Sequence, residues 1–122
     1  MSQSNLPIAE GYYSSMVAGD YGKMETYLHD NVEYVDPRWP LSGKVQVLQI
    51  AKSFAAAVAT LTTVAKFEAD DKVMLVHDVK FHNADKPLRS AVLIAFAGGL
   101  IKEIQLIADT SQHVEVCTQI FA

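Results

Sequence analysis

At 122 residues, half of them hydrophobic and a fifth charged, the chain has the length for one domain that buries its own core without metals or disulfides. A formal charge of -4 and the lack of any Lys/Arg cluster exclude the electrostatic footprint of a nucleic-acid or anionic-membrane binder. The lone Cys117 excludes an internal disulfide and makes a reducing cytoplasm the expected setting, and no stretch reads as an export leader or reaches the length of a membrane span.

Taken in order, Ser4 or Asn5 can cap a first helix over about residues 6 to 18, with Ile8, Tyr12, Met16 and Val17 on one stripe. Pro7 is tolerated in its first turn, and Gly19 is placed to close it in a left-handed cap. Asp20 is a ready cap for a shorter second helix, with Tyr21, Met24, Tyr27 and Leu28 on one face, ending around His29-Asp30-Asn31. Alternation from Val32 to Asp36 predicts a strand that Pro37 ends, because proline lacks the N–H a ladder needs and forces its predecessor into extended geometry. Pro37 and Pro40 stiffen a turn carrying Arg38 and Trp39, the only tryptophan, and Ser42 and Gly43 then open a third helix from Lys44 to Thr60. Its apolar residues Val47, Leu48, Ala51, Phe54, Ala55 and Val58 recur at helical spacing.

From Thr62 the period changes to 2. Strands are expected over Thr63 to Ala69, Lys72 to His82, Leu88 to Ala97 and Leu100 to Asp109, joined by hairpins. In the second of these, Val73, Leu75, His77, Val79 and Phe81 share the face expected to be interior; were the faces reversed, Asp78 would point inward instead. Residues Thr110 to Ala122 fit a further strand, a lid or a dimer contact equally well. Helices first and a meander afterwards predict an α+β domain, a curved and mainly antiparallel sheet wrapped on helices, whose concave face can hold a ligand.

The order of elements, with Ala18-Gly19-Asp20 between two helices, Val32-Glu33-Tyr34-Val35-Asp36-Pro37 as first strand, Leu41-Ser42-Gly43 before the third helix and Gly98-Gly99-Leu100-Ile101 in a late hairpin, resembles the nuclear transport factor 2-like superfamily. Within it the chain is similar to the SnoaL-like and ketosteroid-isomerase-like small proteins. The resemblance covers Leu6 to Asp109 and implies a cystatin-like cone, with three N-terminal helices packed on the curved sheet. It also implies a homodimer through that sheet, and a cofactor-free isomerase, cyclase or hydrolase, or else a non-catalytic binding or association module. Ketosteroid isomerases carry a general-base aspartate before a proline and an oxyanion tyrosine on the first helix. Asp36 matches the first and Tyr12 the second, with Tyr13 beside it. Their second oxyanion donor, a protonated aspartate on a late strand, corresponds to Val92, which has no proton to give.

The expected site is therefore an apolar pocket with Asp36 as acid/base, partly desolvated by Tyr34, Trp39 and Phe54. Tyr12 would polarise a substrate oxygen, and His77 on the inner strand face could shuttle a proton to Asp36. Tyr13, Met16, Val92, Ile94 and Leu106 complete the expected lining. Asp109, at the end of the last long strand, is a second carboxylate that could pair with Asp36 across Arg38 or Arg89 for water activation. His29, His82 and His113 show no ligand spacing and only one cysteine is present, so no metal site is expected. The one glycine pair, Gly98-Gly99, lies in a strand turn and not in a phosphate loop, and no cofactor is expected. The expected partner is a small apolar molecule.

Overall fold

The computed structural model describes residues 4–36 and 38–121. The elements are α1 (Leu6–Ala18), α2 (Tyr21–Tyr27), β1 (Leu28–Val35), β2 (Leu41–Ser42), α3 (Lys44–Ala57), β3 (Val58–Ala69), β4 (Lys72–Phe81), β5 (Leu88–Ala97), β6 (Leu100–Ala108) and α4 (Val114–Ile120). They form an α+β cone: one six-stranded sheet in the order β2-β1-β6-β5-β4-β3 curls around the helices. All neighbouring strands run antiparallel except β1 and β6, which are parallel. No described helix is long and apolar enough to cross a membrane.

Local chemistry sets the helix ends. Asp20 accepts the Lys23 backbone N–H at 3.1 Å and starts α2, while Gly19 closes α1 at a φ of 76° that a side chain would strain. At the N-terminus of α1 the cap comes from elsewhere. Asn5 makes no side-chain cap bond; the Glu68 carboxylate, from β3, accepts the Asn5 backbone N–H and the Ser4 hydroxyl. The two N-terminal helices pack so closely that a Cβ on Gly11 would lie 2.6 Å from the Tyr27 hydroxyl. This tight corner brings Tyr12, Tyr13 and Met16 over the concave face of the sheet.

Several boundaries differ from the sequence expectation. The first strand starts at Leu28 and not at Val32, because α2 passes straight into extended backbone with no loop between. Likewise α3 stops at Ala57, where the β-branched run Val58, Thr60, Thr62, Thr63 and Val64 favours a strand over another helical turn. Val17, expected on the buried stripe, is exposed. Pro37, to which the end of the first strand was ascribed, lies outside the described residues. The segment after β6 forms a fourth helix, so one helix is C-terminal and not all of them precede the sheet.

Alternation in the sheet follows the expected faces. Val73, Leu75, His77, Val79 and Phe81 of β4 are buried, as are Leu88, Ser90, Val92, Ile94 and Phe96 of β5. The fully buried Leu75, Ile94 and Ile101 each contribute about 1.5–3 kcal/mol relative to exposure. This apolar inner face meets α1 and α3 in one core, and a second cluster gathers under α4, where Val116, Cys117 and Ile120 pack against Val79, Phe81 and Leu88.

Candidate functional site

Between the two clusters a cavity of about 100 Å³ remains. The floor is the concave sheet face, where His77 and Ser90 are cross-strand partners and Val92 pairs with Leu106. Tyr12, Tyr13 and Met16 of α1 form one wall, and Phe54 of α3 with Tyr34 of β1 forms another. Cys117, Ile120 and Phe121 close the mouth from α4 and the residue after it. No Asp, Glu, Lys or Arg contributes to the lining among the described residues.

The polar groups in this apolar shell are few and closely set. Burial raises the hydroxyl pKa of Tyr12, Tyr13 and Tyr34, and for Tyr13 the other two phenols add to the rise. All three are therefore neutral donors at any physiological pH. His77 is 1% exposed and packs its ring edge-on against Tyr13 at 4.8 Å. Its Nε2 has no hydrogen-bond partner among the described residues, and burial lowers its pKa below 6.5. A neutral imidazole with an unsatisfied ring nitrogen thus stands in the wall of an apolar hollow.

Eight of the residues expected at the site do line the cavity: Tyr12, Tyr13, Met16, Tyr34, Phe54, His77, Val92 and Leu106. Asp36, Trp39, Ile94 and Asp109 are not among the lining residues. Ile94 is buried in the core two residues beyond Val92, and Asp109 is exposed, its Oδ1 accepting the Ser111 backbone N–H at 3.0 Å. Asp36 is only 6% exposed, yet it belongs to the mouth and not to the lining. Its Oδ1 accepts the Arg38 backbone N–H at 2.9 Å, and the Arg38 Nε stands 3.9 Å away. From there Arg38 donates to the Thr110 hydroxyl and lies over Trp39, and Trp39 stacks on Phe121 at 4.5 Å, nearly parallel. Asp36 and Trp39 are therefore parts of the structure that holds α4 in place.

Sequence reasoning left the C-terminal segment open among a strand, a lid and a dimer contact, and named none of its residues for the site; it is a helix whose Cys117 and Ile120 line the cavity. Val116, Cys117 and Ile120 recur at helical spacing, a signal that seven residues of helix make too short to separate from a strand. Ser90 was also missed, although the register opposite His77 and the alternation of β5 place it on the same face. No group of three or more metal-ligating side chains occurs among the described residues.

Residues 9–104 match the family model described as a SnoaL-like domain. Among solved structures, the chain is similar to a steroid delta-isomerase from Pseudomonas aeruginosa (TM-score 0.81, 13% identity, covering 98% of this chain and 90% of that one). It is similar to an NTF2-like protein of unknown function from Cytophaga hutchinsonii (TM-score 0.80, 13% identity, 94% and 98% covered). It is also similar to a de novo designed protein with a curved β-sheet (TM-score 0.84, 18% identity, 97% and 96% covered). At such identities the likeness is one of fold, and the designed protein matches that fold as well as the isomerase does. No curated protein matches the chain.

Proposed function

This chain belongs to the SnoaL-like domain family, and from that premise we propose that it binds a small, mainly apolar organic molecule in the cavity between the concave sheet, α1, α3 and α4. The observation that carries this reading is the cavity itself, about 100 Å³ of apolar-walled space in a core that packing would otherwise fill. An apolar cavity of about 150 Å³ accommodates benzene, so a cavity of this order suits a molecule with about the bulk of a five- or six-membered ring, and a steroid needs more room than it offers. NMR titration with cyclopentane tests the reading. Saturable shifts confined to Tyr13, His77, Val92 and Leu106 are expected, and shifts scattered over the surface, or none, would overturn it.

A second reading is proton transfer in the same cavity, of the isomerase, cyclase or hydrolase kind, with Asp36 as acid/base and Tyr12 polarising an oxygen. One observation favours it: Asp36 is buried two residues beyond Tyr34, a lining residue whose pKa is raised by burial first and by the Asp36 charge second. The carboxylate thus stands near enough to the wall for its charge to be felt there. Under this reading Asp36→Asn abolishes turnover and leaves ligand affinity unchanged, whereas loss of affinity alone would assign Asp36 to holding the mouth.

For assembly we propose a homodimer through the outer face of the sheet. Phe67 and Ile107 are 60% and 47% exposed there. The register sets Phe67, Met74 and Leu93 in one row across the strands, and Ala65, Val76, Ala91 and Ile107 in the next. Such a continuous apolar surface supports self-association. Sedimentation equilibrium should give a dimer that Phe67→Glu converts to monomer; a monomeric parent protein would sink the proposal.

A further inference from the structure

We infer that the molecule held in this cavity is uncharged and carries one hydroxyl-type group, which hydrogen-bonds to Nε2 of His77. This rests on the reading of the cavity as a ligand site. Two independent features lead to it. The first is the one buried side-chain polar atom of the lining that has no partner among the described residues. Nε2 of His77 is enclosed on a strand whose register on both sides holds it in place, opposite Thr63 on β3 and Ser90 on β5. Leaving such an atom unpaired in an apolar surrounding costs free energy that a leucine at the same place would not, and a ligand atom within reach removes that cost.

The second is the charge inventory. Among the described residues, no ionisable side chain other than His77, the tyrosines and Cys117 reaches the cavity, and burial holds the imidazole and the phenols in their neutral forms. A carboxylate would enter without a counter-charge, because the Arg38 guanidinium, itself not part of the lining, is engaged with Thr110 and Trp39; for an ammonium, the Asp36 carboxylate likewise lies outside the lining and already faces Arg38. A neutral ligand is the class this shell can solvate.

The choice of a hydroxyl follows from the imidazole. A neutral ring presents Nε2 as an acceptor in one tautomer and as an N–H donor in the other. A hydroxyl pairs with either, a carbonyl only with the second. The neighbouring Ser90 hydroxyl, on the same face, can act as a second partner for the same oxygen.

Four probes of closely similar size separate these statements by calorimetry on the full-length protein: cyclopentanol, cyclopentanone, methylcyclopentane and cyclobutanecarboxylate. Cyclopentanol is expected to bind about ten-fold more tightly than methylcyclopentane, the worth of one buried hydrogen bond, and the carboxylate not at all. In His77→Leu the alcohol's advantage should vanish while the hydrocarbon still binds. Should that variant fail to fold, the 15N shift of the His77 Nε2 in the parent protein gives the same answer, moving with cyclopentanol and staying still with methylcyclopentane. Equal binding of the alcohol and the hydrocarbon would overturn the inference while the ligand cavity stands. Tightest binding by the carboxylate would overturn neutrality. No binding by any of the probes would overturn the cavity reading as well.

Discussion

On its sheet side the cavity is held by backbone, and at its mouth by side chains. His77, Ser90, Val92 and Leu106 sit on β4, β5 and β6, three strands whose ladders run almost their whole length. The mouth depends on the Asp36 turn, the reach of Arg38 to Thr110 and the stack of Trp39 on Phe121, which hold a helix of seven residues, Val114–Ile120. Ladder bonds and a shared core open only with the whole domain, whereas a short helix tied by a few contacts can open by itself. The difference gives the two halves different work. The floor fixes the polar group that a ligand meets, and the mouth governs how readily anything enters a space of about 100 Å³.

Substitutions should separate the halves by size of effect. The largest belongs to the sheet that carries the floor: Ile94→Ala, in the core beside the cavity at a position with no exposed surface, should cost about 2–5 kcal/mol in urea denaturation, from lost transfer energy and the void left behind. A cost under about 1 kcal/mol would mean that the sheet face is looser than its packing implies. Next comes His77→Leu, which should stabilise the ligand-free protein by about 1–2 kcal/mol, since it removes a buried polar atom that lacks a partner. The same variant has a pH signature. Burial holds the folded-state pKa of His77 below the unfolded value near 6.5, so below that pH the unfolded chain takes up its proton first. Stability from this residue is complete above 6.5, declines as pH falls toward the folded pKa and levels off below it. The stability difference between His77→Leu and the parent should therefore widen on acidification, and a difference independent of pH would refute the buried, neutral assignment.

At the mouth, Phe121→Ala removes the ring on which Trp39 lies. It should cost about 1 kcal/mol, and it should shift the emission of the only tryptophan toward that of a hydrated indole. The sharper effect is kinetic. Ligand association and dissociation should both accelerate while the affinity for a small probe changes little, because the floor is intact. A slower exchange would place the entry elsewhere.

The same contrast explains what could be read from the sequence. Period-2 alternation over ten residues identified the inner face of β4, and with it His77, because one buried face repeats its signal at every second residue. The first helix, its left-handed Gly19 cap and the Asp20 cap of α2 were legible for a related reason: each rests on local chemistry. The mouth depends on contacts far apart in sequence. Arg38 reaches Thr110 across 72 positions, and no local pattern announces that Trp39 will meet Phe121. The α4 helix owes its place to the apolar cluster beneath it, with Val116, Cys117 and Ile120 set on Val79 and Phe81, a tertiary cause that no propensity of seven residues encodes. Family resemblance pointed to Asp36, but the resemblance carries a fold, and the orientation of one side chain at a strand end depends on its own turn.

Asp36 and Asp109 offer the finest test of that turn. Both are aspartates at the ends of neighbouring strands of the sheet, and each accepts a backbone N–H two residues ahead, from Arg38 and Ser111 respectively. They differ in surroundings: Asp36 is buried beside Tyr34 and Cys117, and Asp109 is in solvent. The Ser111 backbone N–H, then its side chain, holds the Asp109 carboxyl below the usual carboxylate value. What stability this exposed bond gives is present above the unfolded pKa and is lost as pH falls through the folded one. Asp109→Asn keeps an acceptor for that bond, so neither denaturation nor probe affinity should change measurably at neutral pH. Asp36→Asn keeps an acceptor too, but it also removes the charge facing Arg38, and it should loosen Arg38 from Thr110 and speed ligand exchange in the direction of Phe121→Ala. If the two variants behave alike, the mouth does not depend on the charge of Asp36. If Asp109→Asn instead abolishes a measured turnover, the two carboxylates act as a pair, and the site extends beyond the cavity to the rim where both strands end.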